Sequence, residues 1–430
     1  MTLECGRMGP MPHVRSQSGL EGSESVVRAL RGARLWDGVA DRASPEPRRV
    51  RVEAGRIAAV ETDPQAPAAD SAGEVDLTGL FLMPGLIDAH VHLGLDPTLK
   101  TPDEQLAVPE ADRRLRMLAR ARAMVEAGIT TARDLGGGDF MELELRDGVD
   151  AGRVVGPRIV CAGQPLTRPD GHCHFWGGGA TSTEEQRTVV ARQIDRGVDW
   201  IKVMATGGVF TKGSSVRDAQ FAESEIAAVC AQAADAGLGV AAHCHGTVGI
   251  RNAARGGVTT IEHCSFAGEQ GFGSDFDAEV VGDVARAGAA VSPTMNLGWG
   301  HRLTDAHGRA SDFFTRMSRA MHALREAGVP LVASTDAGIP GVAHHRLAEG
   351  LLAFQRYAAL TPVELLRTAT SGSAASLGLG SETGRVAPGL AADLVALRRD
   401  PTVDPTALLE PVFVVARGRV VCDRRSDASA

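Results

Sequence analysis

The sequence predicts an α/β protein: a (β/α)8 TIM-like barrel joined to a small β-sandwich domain that is built from both chain ends. Near the two ends, short runs alternate apolar and polar residues and are broken by Gly, Pro and Asp, a pattern typical of strands and hairpins. Between them, short apolar runs alternate with longer amphipathic stretches, as in repeated β-α units with a parallel sheet. The change of rhythm along the chain therefore predicts two kinds of domain.

The small domain is predicted from residues 27–84 and 379–425. The first part contains "RVRVEAGRIAAVETD" and the second "PVFVVARGRVVCD", each of which reads as short strands separated by a Gly turn. Strands from opposite ends of a chain can pair in one sheet, which would bring the two ends together. The polar, Gly-rich residues 1–26 are predicted to be a disordered tail, and Met8 or Met11 is an alternative start.

Residues 85–378 are predicted to form the barrel, because eight apolar runs follow one another at the spacing of β-α units. The eight predicted strands are Leu86–Leu93, Ile129–Leu135, Arg158–Gly163, Trp200–Ala205, Gly239–Cys244, Thr259–Cys264, Ala289–Thr294 and Pro330–Thr335. Helical stretches lie between them, and one begins at an N-capping Ser182 or Thr183. Eight parallel strands close a barrel, although the same units can also build a doubly wound open sheet.

Composition argues against several classes of function. The net charge of −8 provides no positive surface for nucleic acid or an anionic membrane, and no apolar run is long enough for a transmembrane helix. Seven cysteines without a C-x-x-C pair indicate neither a disulfide scaffold nor a zinc ribbon. Because the N-terminal residues also lack the apolar segment of a secretion signal, we expect a cytoplasmic protein that binds neither nucleic acid nor membrane.

Metal-competent side chains occur at the carboxyl ends of five of the predicted strands. They are His90, His92, Lys202, His243, His263 and Asp336. Each has an unremarkable alternative: a lysine that reaches solvent, a helix N-cap, or a histidine satisfied in a core. However, each lies among apolar residues, where burial is costly without a partner, and a barrel directs the carboxyl ends of its strands to one mouth. Together they predict a metal site.

The ordered motifs of the chain resemble those of the amidohydrolase superfamily, and more narrowly its imidazolonepropionase-like and metal-dependent Xaa-Pro dipeptidase branch. The resemblance runs from Val27 to Asp423 and rests on "MPGLIDAHVHLG", the lone lysine of the fourth strand, "HCHG", "IEHCSF", "STDAG" and the tail "TATSGSAASLGLGSETGRVAPGLAADLVAL". These motifs are specific for the fold and the metal site more than for a substrate. Relatives often associate, so the resemblance also allows a homo-oligomer.

The resemblance implies a role for each of the six side chains. His90 and His92 would hold one divalent metal, and His243 and His263 a second. Lys202, carboxylated by CO₂, would bridge both as a carbamate. Asp336 would bind the first metal and a hydroxide shared by the two, and would carry the proton to the leaving amine as the catalytic acid and base. Zinc is the expected metal, with manganese or cobalt as substitutes.

The residue after the strand-five histidine bears on the reaction. Many single-metal deaminases and ring hydrolases of the superfamily have an acidic residue shortly after their strand-five histidine. This chain has no acid there, since it reads His-Cys-His-Gly from His243. We therefore expect hydrolysis of an amide C–N bond, in a dipeptide, an N-acyl amino acid or a modified peptide from secondary metabolism. Hydrolysis of a cyclic amide or lactone and a non-catalytic scaffold relative remain as alternatives.

Four further residues are predicted to contact the substrate. His172 lies in "TRPDGHCHFWGGG" after the third strand, and His245 shares a face of its strand with His243 because residues two apart point the same way. Lys212 and Arg217 lie in "GGVFTKGSSVRDAQF", which has the composition of a lid and whose cations could meet a substrate carboxylate. Solvated loop positions are the alternative for His172 and for both cations.

Overall fold

The computed structural model describes residues 26–63 and 73–427. The predicted disordered tail, apart from Val26, lies outside these residues. The strands are β1 (Ala29–Leu35), β2 (Pro47–Glu53), β3 (Arg56–Thr62), β4 (Glu74–Asp76), β5 (Phe81–Pro84), β6 (Leu86–Val91), β7 (Ile129–Asp134), β8 (Arg158–Cys161), β9 (Trp200–Met204), β10 (Gly239–Gly246), β11 (Thr260–Ala267), β12 (Ala290–Ser292), β13 (Leu394–Leu397), β14 (Phe413–Ala416) and β15 (Arg419–Asp423).

Most of the α-helices lie between the central strands. They are α1 (Pro102–Leu106), α2 (Glu110–Glu126), α3 (Met141–Asp150), α4 (Thr183–Asp195), α5 (Glu223–Asp235), α6 (Thr247–Arg255), α7 (Ala278–Ala287), α8 (Leu297–Gly300), α9 (Asp312–Glu326), α10 (Leu347–Ala358), α11 (Pro362–Thr368) and α12 (Ser371–Ser376). The predicted start of α4 is found at Ser182, whose hydroxyl accepts a hydrogen bond from the Glu185 amide, while the Ser182 amide donates one to the Glu185 carboxylate. This reciprocal cap satisfies two backbone donors that the helix itself leaves free.

Strands from both chain ends form one eight-stranded sheet, in the order β15-β14-β13-β5-β1-β2-β3, with β4 paired to β1. The join between the two ends is the antiparallel pair β5 and β13, in which Met83 lies opposite Val395. Apolar side chains from both ends pack into a common core that includes Leu30, Leu82 and Leu394. Burial of these side chains stabilises the pairing of segments that are far apart in sequence.

The central strands form two parallel sheets, β6-β7-β8 and β9-β10-β11-β12. Seven of the predicted barrel strands are present, each within a few residues of its predicted bounds. All seven are almost completely buried, as expected for a parallel sheet covered on both faces. The α/β class with parallel strands is therefore confirmed.

The eighth predicted strand, Pro330–Thr335, forms no regular ladder. Leu331 makes an isolated bridge to Val291, and the Ala333 carbonyl accepts from the Ala89 amide at 3.0 Å. Side chains take the place of further ladder partners, because the Thr335 amide donates to the Asp88 carboxylate at 3.1 Å. The segment still contacts both neighbours, so the residues that follow it lie beside β6.

No helix within residues 26–63 and 73–427 is both long enough and apolar enough to span a bilayer.

Candidate metal centre and active site

His90, His92 and Asp336 bring two imidazole nitrogens and one carboxylate oxygen together at the end of β6. The Nε2 atoms of the two histidines are 3.3 Å apart, and each is 3.3 Å from Oδ1 of Asp336. Their Nδ1 atoms are already used: His90 donates to Glu262 Oε2 at 2.9 Å and His92 to the Gly136 carbonyl at 2.8 Å. The two Nε2 atoms therefore face one another and a carboxylate oxygen, an arrangement that a cation in its centre would satisfy.

A second group consists of His243, His245 and His263, whose ligand atoms lie within 4.8 Å of one another. Nε2 of His243 donates to the Gly207 carbonyl at 3.1 Å, which leaves its Nδ1 free at 2.9 Å from Nε2 of His263. Burial, reinforced by the neighbouring imidazoles, holds the pKa of His243 and of His263 well below the usual value. Both rings are therefore neutral, which is the form that binds metals.

His245 lies closer to this second group than the sequence interpretation implied. Its Nδ1 is 2.8 Å from the Ser265 hydroxyl, and its ring stacks on His263 with centroids 4.4 Å apart and on Phe272 with centroids 4.9 Å apart. From this position His245 can either contact a substrate or serve as a third ligand of an ion bound by His243 and His263.

Lys202 lies on β9 and is only 1% exposed. Its Nζ atom has no hydrogen-bond partner among the described residues. Burial lowers the pKa of this amine to about 8, against the pull of nearby carboxylates. A buried amine without a partner is costly, and the lowered pKa makes the neutral, nucleophilic form accessible near neutral pH.

The donor atoms fit a divalent metal. Ligands at 2.0–2.1 Å around one tetrahedral zinc ion are about 3.3 Å apart, which is the separation found between the Nε2 atoms of His90 and His92 and Oδ1 of Asp336. The unpartnered Lys202 amine is a second buried polar group at this site that the described residues leave unsatisfied. Imidazole and carboxylate donors suit zinc, manganese and cobalt.

A buried ion pair between Arg133 and Glu262 holds the His90 ring in place. Arg133 on β7 donates to Glu262 on β11 at 2.8 Å, to Thr260 at 3.0 Å and to the Ala89 carbonyl at 2.8 Å. Burial raises the pKa of Glu262, but Arg133 and His90 outweigh it and hold that pKa well below its usual range. Glu262 is therefore a carboxylate, and it fixes the His90 tautomer that leaves Nε2 free for a metal.

Replacing Glu262 by glutamine is expected to weaken both the fold and the metal site. Arg133 would keep a buried charge without its partner, which costs about 3–5 kcal/mol, and loss of the bond to His90 should lower metal affinity about 10- to 100-fold. Denaturant unfolding in the presence of chelator measures the first effect and metal titration the second. The double variant E262Q/R133M, which removes both charges, should regain much of the stability, and equal instability of the two variants would contradict the argument.

Several residues of the site have a left-handed backbone. His263, Thr294 and Asp336 have φ values of 65°, 54° and 60°, which is rare for residues other than glycine and costs about 1–3 kcal/mol each. At His263 the turn breaks the strand alternation, so His263 and its neighbour Glu262 both lie next to His90. The backbone strain thus places two consecutive side chains at one site.

Above the two groups lies a cavity of about 460 Å³. Its lining includes all six predicted ligands together with His172, His245, Lys100, Arg302 and the aromatic side chains of Trp176, Phe210, Phe272 and Trp299. His172 is buried, its Nδ1 is 3.1 Å from the Thr211 hydroxyl, and burial lowers its pKa to about 3. A Cβ atom at Gly208 would lie 2.4 Å from His172 Nε2, so this glycine is what allows the ring its place.

The structure does not bring Lys212 and Arg217 to this cavity. Both side chains are exposed and neither belongs to the lining, and Arg217 lies 3.5 Å from Glu269. The two charged side chains of this predicted lid segment thus face solvent. The cations that line the cavity are Lys100 and Arg302, which sequence reasoning missed because they lie in loops after β6 and α8.

Known proteins are similar to this chain over most of its length. The model of the amidohydrolase family matches residues 81–422, a range that contains both ligand groups. Ochratoxinase from Aspergillus niger is 28% identical over 367 residues, covering 77% of this chain and 73% of the relative. Its crystal structure has a TM-score of 0.75 at 26% identity and covers 93% of this chain and 96% of that chain.

Two further solved structures are similar over nearly their whole length. A prolidase in complex with N-methylphosphonate-L-proline has a TM-score of 0.78 at 26% identity and covers 92% of this chain and 99% of its own. A Xaa-Pro dipeptidase with bound methionine has a TM-score of 0.80 at 23% identity, covers 91% and 98%, and supports the fold alone. The family expected from the motifs is confirmed: the chain belongs to the amidohydrolase family, whose members are generally metal-dependent and hydrolyse carbon–nitrogen bonds.

Proposed function

We propose that this protein hydrolyses an amide bond next to a residue that bears a carboxylate, and that it does so with divalent metal bound by the two ligand groups. The observation that carries the proposal is the convergence of two imidazole nitrogens and one carboxylate oxygen at 3.3 Å, beside the buried, unpartnered amine of Lys202. The similarity to ochratoxinase and to a prolidase supports an amide as the bond that is cut.

The metal would be held by His90, His92 and Asp336 in one position and by His243 and His263 in the other, with zinc as the expected ion. Two bound ions would make water nucleophilic near neutral pH and polarise the amide carbonyl. The buried walls of the site, formed by β6, β10 and β11, exclude bulk water and strengthen each electrostatic interaction there.

Lys202 would be the group shared by both positions. Its ammonium form would first lose one proton to water. The neutral amine would then attack CO₂, so that the N–C bond forms while one C–O π bond opens, and loss of a second proton to water would leave a carbamate anion. The lowered pKa of the amine supports this step, because less free energy is needed to deprotonate it near neutral pH. The product would supply the second carboxylate-like group that the two sets of neutral histidines lack.

Asp336 is the proposed proton carrier. Its carboxylate would take the proton of the attacking water and pass it to the nitrogen of the leaving amine, so one group serves as general base and then as general acid. Burial raises the pKa of Asp336, but His90 and His92 outweigh it and hold the pKa well below its usual range, so the carboxylate starts in the form that accepts a proton. His172 and His245 would contact the substrate from the cavity wall.

The proposal includes the finer architecture. Leu166 donates to the Lys202 carbonyl at 2.8 Å, and Val332 donates to the Val291 carbonyl at 2.9 Å. These bonds extend the two parallel sheets towards each other and support a closed TIM-like barrel over residues 85–378. The eight-stranded sheet would curve into a β-sandwich made of residues 27–84 and 379–425.

A turnover screen of the zinc-loaded protein tests the function. N-acyl amino acids, Xaa-Pro and Xaa-basic dipeptides and small cyclic amides would be offered, and release of free amine measured. We expect hydrolysis of linear amides, loss of activity with chelator, and recovery with zinc, manganese or cobalt. Turnover of cyclic amides alone would favour the ring-hydrolase alternative. A protein that binds no divalent ion, and gains no activity from zinc, would contradict the metal-dependent hydrolase.

A further inference from the structure

The charged side chains that line the cavity are mostly cationic. Apart from the two ligand groups and Lys202, its charged side chains are the cations Lys100 and Arg302. Asp336 is the single carboxylate among the described lining residues, and it is engaged by His90 and His92. A substrate in this cavity therefore meets free positive charge and no free negative charge.

Arg302 is exposed and follows α8. No described acidic side chain lies within ion-pair distance of it, whereas nearby arginines such as Arg309, Arg325 and Arg346 each have such a partner. Its guanidinium lies over the ring of Phe313, 4.9 Å from the centroid, and its amide donates to the Trp299 carbonyl at 3.0 Å. The stacked guanidinium keeps its N–H donors available, and a guanidinium binds a carboxylate through two parallel hydrogen bonds.

Lys100 reaches the cavity from the loop that follows β6. This loop is fixed to the residues after Asp336, since the Pro97 carbonyl accepts from the Gly341 amide at 2.8 Å. Ile339 and Pro340, which precede Gly341, also line the cavity. Lys100 likewise has no acidic partner among the described residues, so both lining cations are free to bind an anion.

The rest of the cavity wall is aromatic. Trp176 lies 5.4 Å from the His92 ring, and Phe272 is stacked at 4.9 Å on His245. Phe210 and Trp299 complete the set. Large flat side chains next to the ligand histidines suit an apolar or aromatic group on the substrate.

We infer that the substrates are N-acyl amino acids rather than dipeptides: the carboxylate binds Arg302, assisted by Lys100, and an uncharged aromatic or bulky apolar acyl group lies against Trp176, Phe210 and Phe272. The inference rests on the proposed amide hydrolysis and selects one of its substrate classes. A dipeptide would place its N-terminal ammonium group in a cavity that offers two free cations and no free acid, which is electrostatically unfavourable.

Three matched compounds test the inference. They are 3-phenylpropanoyl-L-phenylalanine, L-phenylalanyl-L-phenylalanine, which adds only the ammonium group, and 3-phenylpropanoyl-L-phenylalaninamide, which lacks the carboxylate. We expect kcat/KM for the first to exceed that for each of the others by at least about tenfold, as one charge-assisted hydrogen bond allows. Equal or faster turnover of the dipeptide would overturn the inference.

Variants assign the effect to a residue. Arg302→Gln should lower kcat/KM for the N-acyl amino acid by about 10- to 100-fold and leave the amide-capped compound unchanged. Arg187→Gln, which changes an exposed arginine of α4 outside the cavity, is the matched control and should alter neither. An equal loss on both compounds in Arg302→Gln would mean that the residue does not read the carboxylate.

A binding measurement separates this inference from the proposed reaction. Trp176 and Trp299 line the cavity, so quenching of tryptophan fluorescence in the Asp336→Asn protein reports binding without turnover. Tighter binding of the acid than of its amide, with the difference absent in Arg302→Gln, would support the inference. If that preference is found but no amide is hydrolysed, only the proposed reaction is contradicted. Equal affinity for the acid and the amide overturns the inference.

Discussion

Replacing Lys202 by alanine is expected to abolish turnover and metal binding together. The residue lies at the position that would be shared by both ligand groups, and its loss removes a fully buried amine that has no hydrogen-bond partner among the described residues. Loss of metal assistance removes several kcal/mol of transition-state stabilisation, so kcat should fall by at least about a thousandfold. Metal analysis and initial rates on the same preparation check the result.

The control for Lys202 addresses packing and the carbamate separately. Lys202→Met fills the same buried space without a charge, so its unfolding transition should be close to that of the parent while activity is lost. A short carboxylic acid such as propionate should restore part of the activity of the alanine variant, which has room for it, and none of that of the methionine variant. Normal activity of either variant would exclude Lys202 as a bridging group.

Asp336→Asn is expected to retain metal and to lose most of kcat. General acid and base catalysis contributes about 10²- to 10⁴-fold, and an amide oxygen can remain near the metal but cannot carry the proton. The backbone here is left-handed, with φ at 60°, a conformation that asparagine accepts more readily than most residues. The substitution thus tests the chemistry without adding strain.

Asp336→Ala is the matched comparison. It removes the same proton carrier but also the metal ligand, and alanine at a positive φ is disfavoured, so this variant should lose both metal and stability. Rates, metal content and denaturant unfolding measured for both variants distinguish the roles. Near-normal turnover of Asp336→Asn would mean that another group moves the proton.

Sequence patterns predicted most of the strands, and the six ligand candidates chosen from them line one cavity. Period-two alternation placed His90 and His92 on one face, and their Nε2 atoms do meet at Asp336. The pattern was wrong in one respect: Pro330–Thr335 has the composition of a strand but not its ladder, because the Asp88 carboxylate bonds the Thr335 amide and hydroxyl. Hydrogen bonds from side chains across the sheet cannot be predicted from apolar periodicity.

Alternation also explains why Glu262 was missed. Next to His263 on a regular strand it would point to the opposite face, and the left-handed φ of His263 removes that difference. A signal was nonetheless present, since "TTARDL" and "TIEHCSF" each place a charged residue inside an apolar strand, where it needs a partner. Arg133 and Glu262 are that pair.

The loop residues were beyond prediction for another reason. Lys100, Phe210 and Arg302 contact one cavity although they lie far apart in the chain, and the path of a loop depends on long-range contacts such as the bond between Pro97 and Gly341. The two lid cations chosen from composition, Lys212 and Arg217, instead face solvent. Residue types alone do not specify which loop charges reach a site.

The pair of Arg133 and Glu262 has a consequence for how such a protein can diverge. Arg133 lies on β7 and Glu262 on β11, and their hydrogen bonds to Ala89 and His90 end on β6. The pair therefore joins the two parallel sheets next to His90. The position of His90 is therefore fixed by strand residues and not by the loops that recognise the substrate. Mutations that lengthen, recharge or reshape those loops can give a duplicated gene a new substrate while the reaction chemistry is inherited intact.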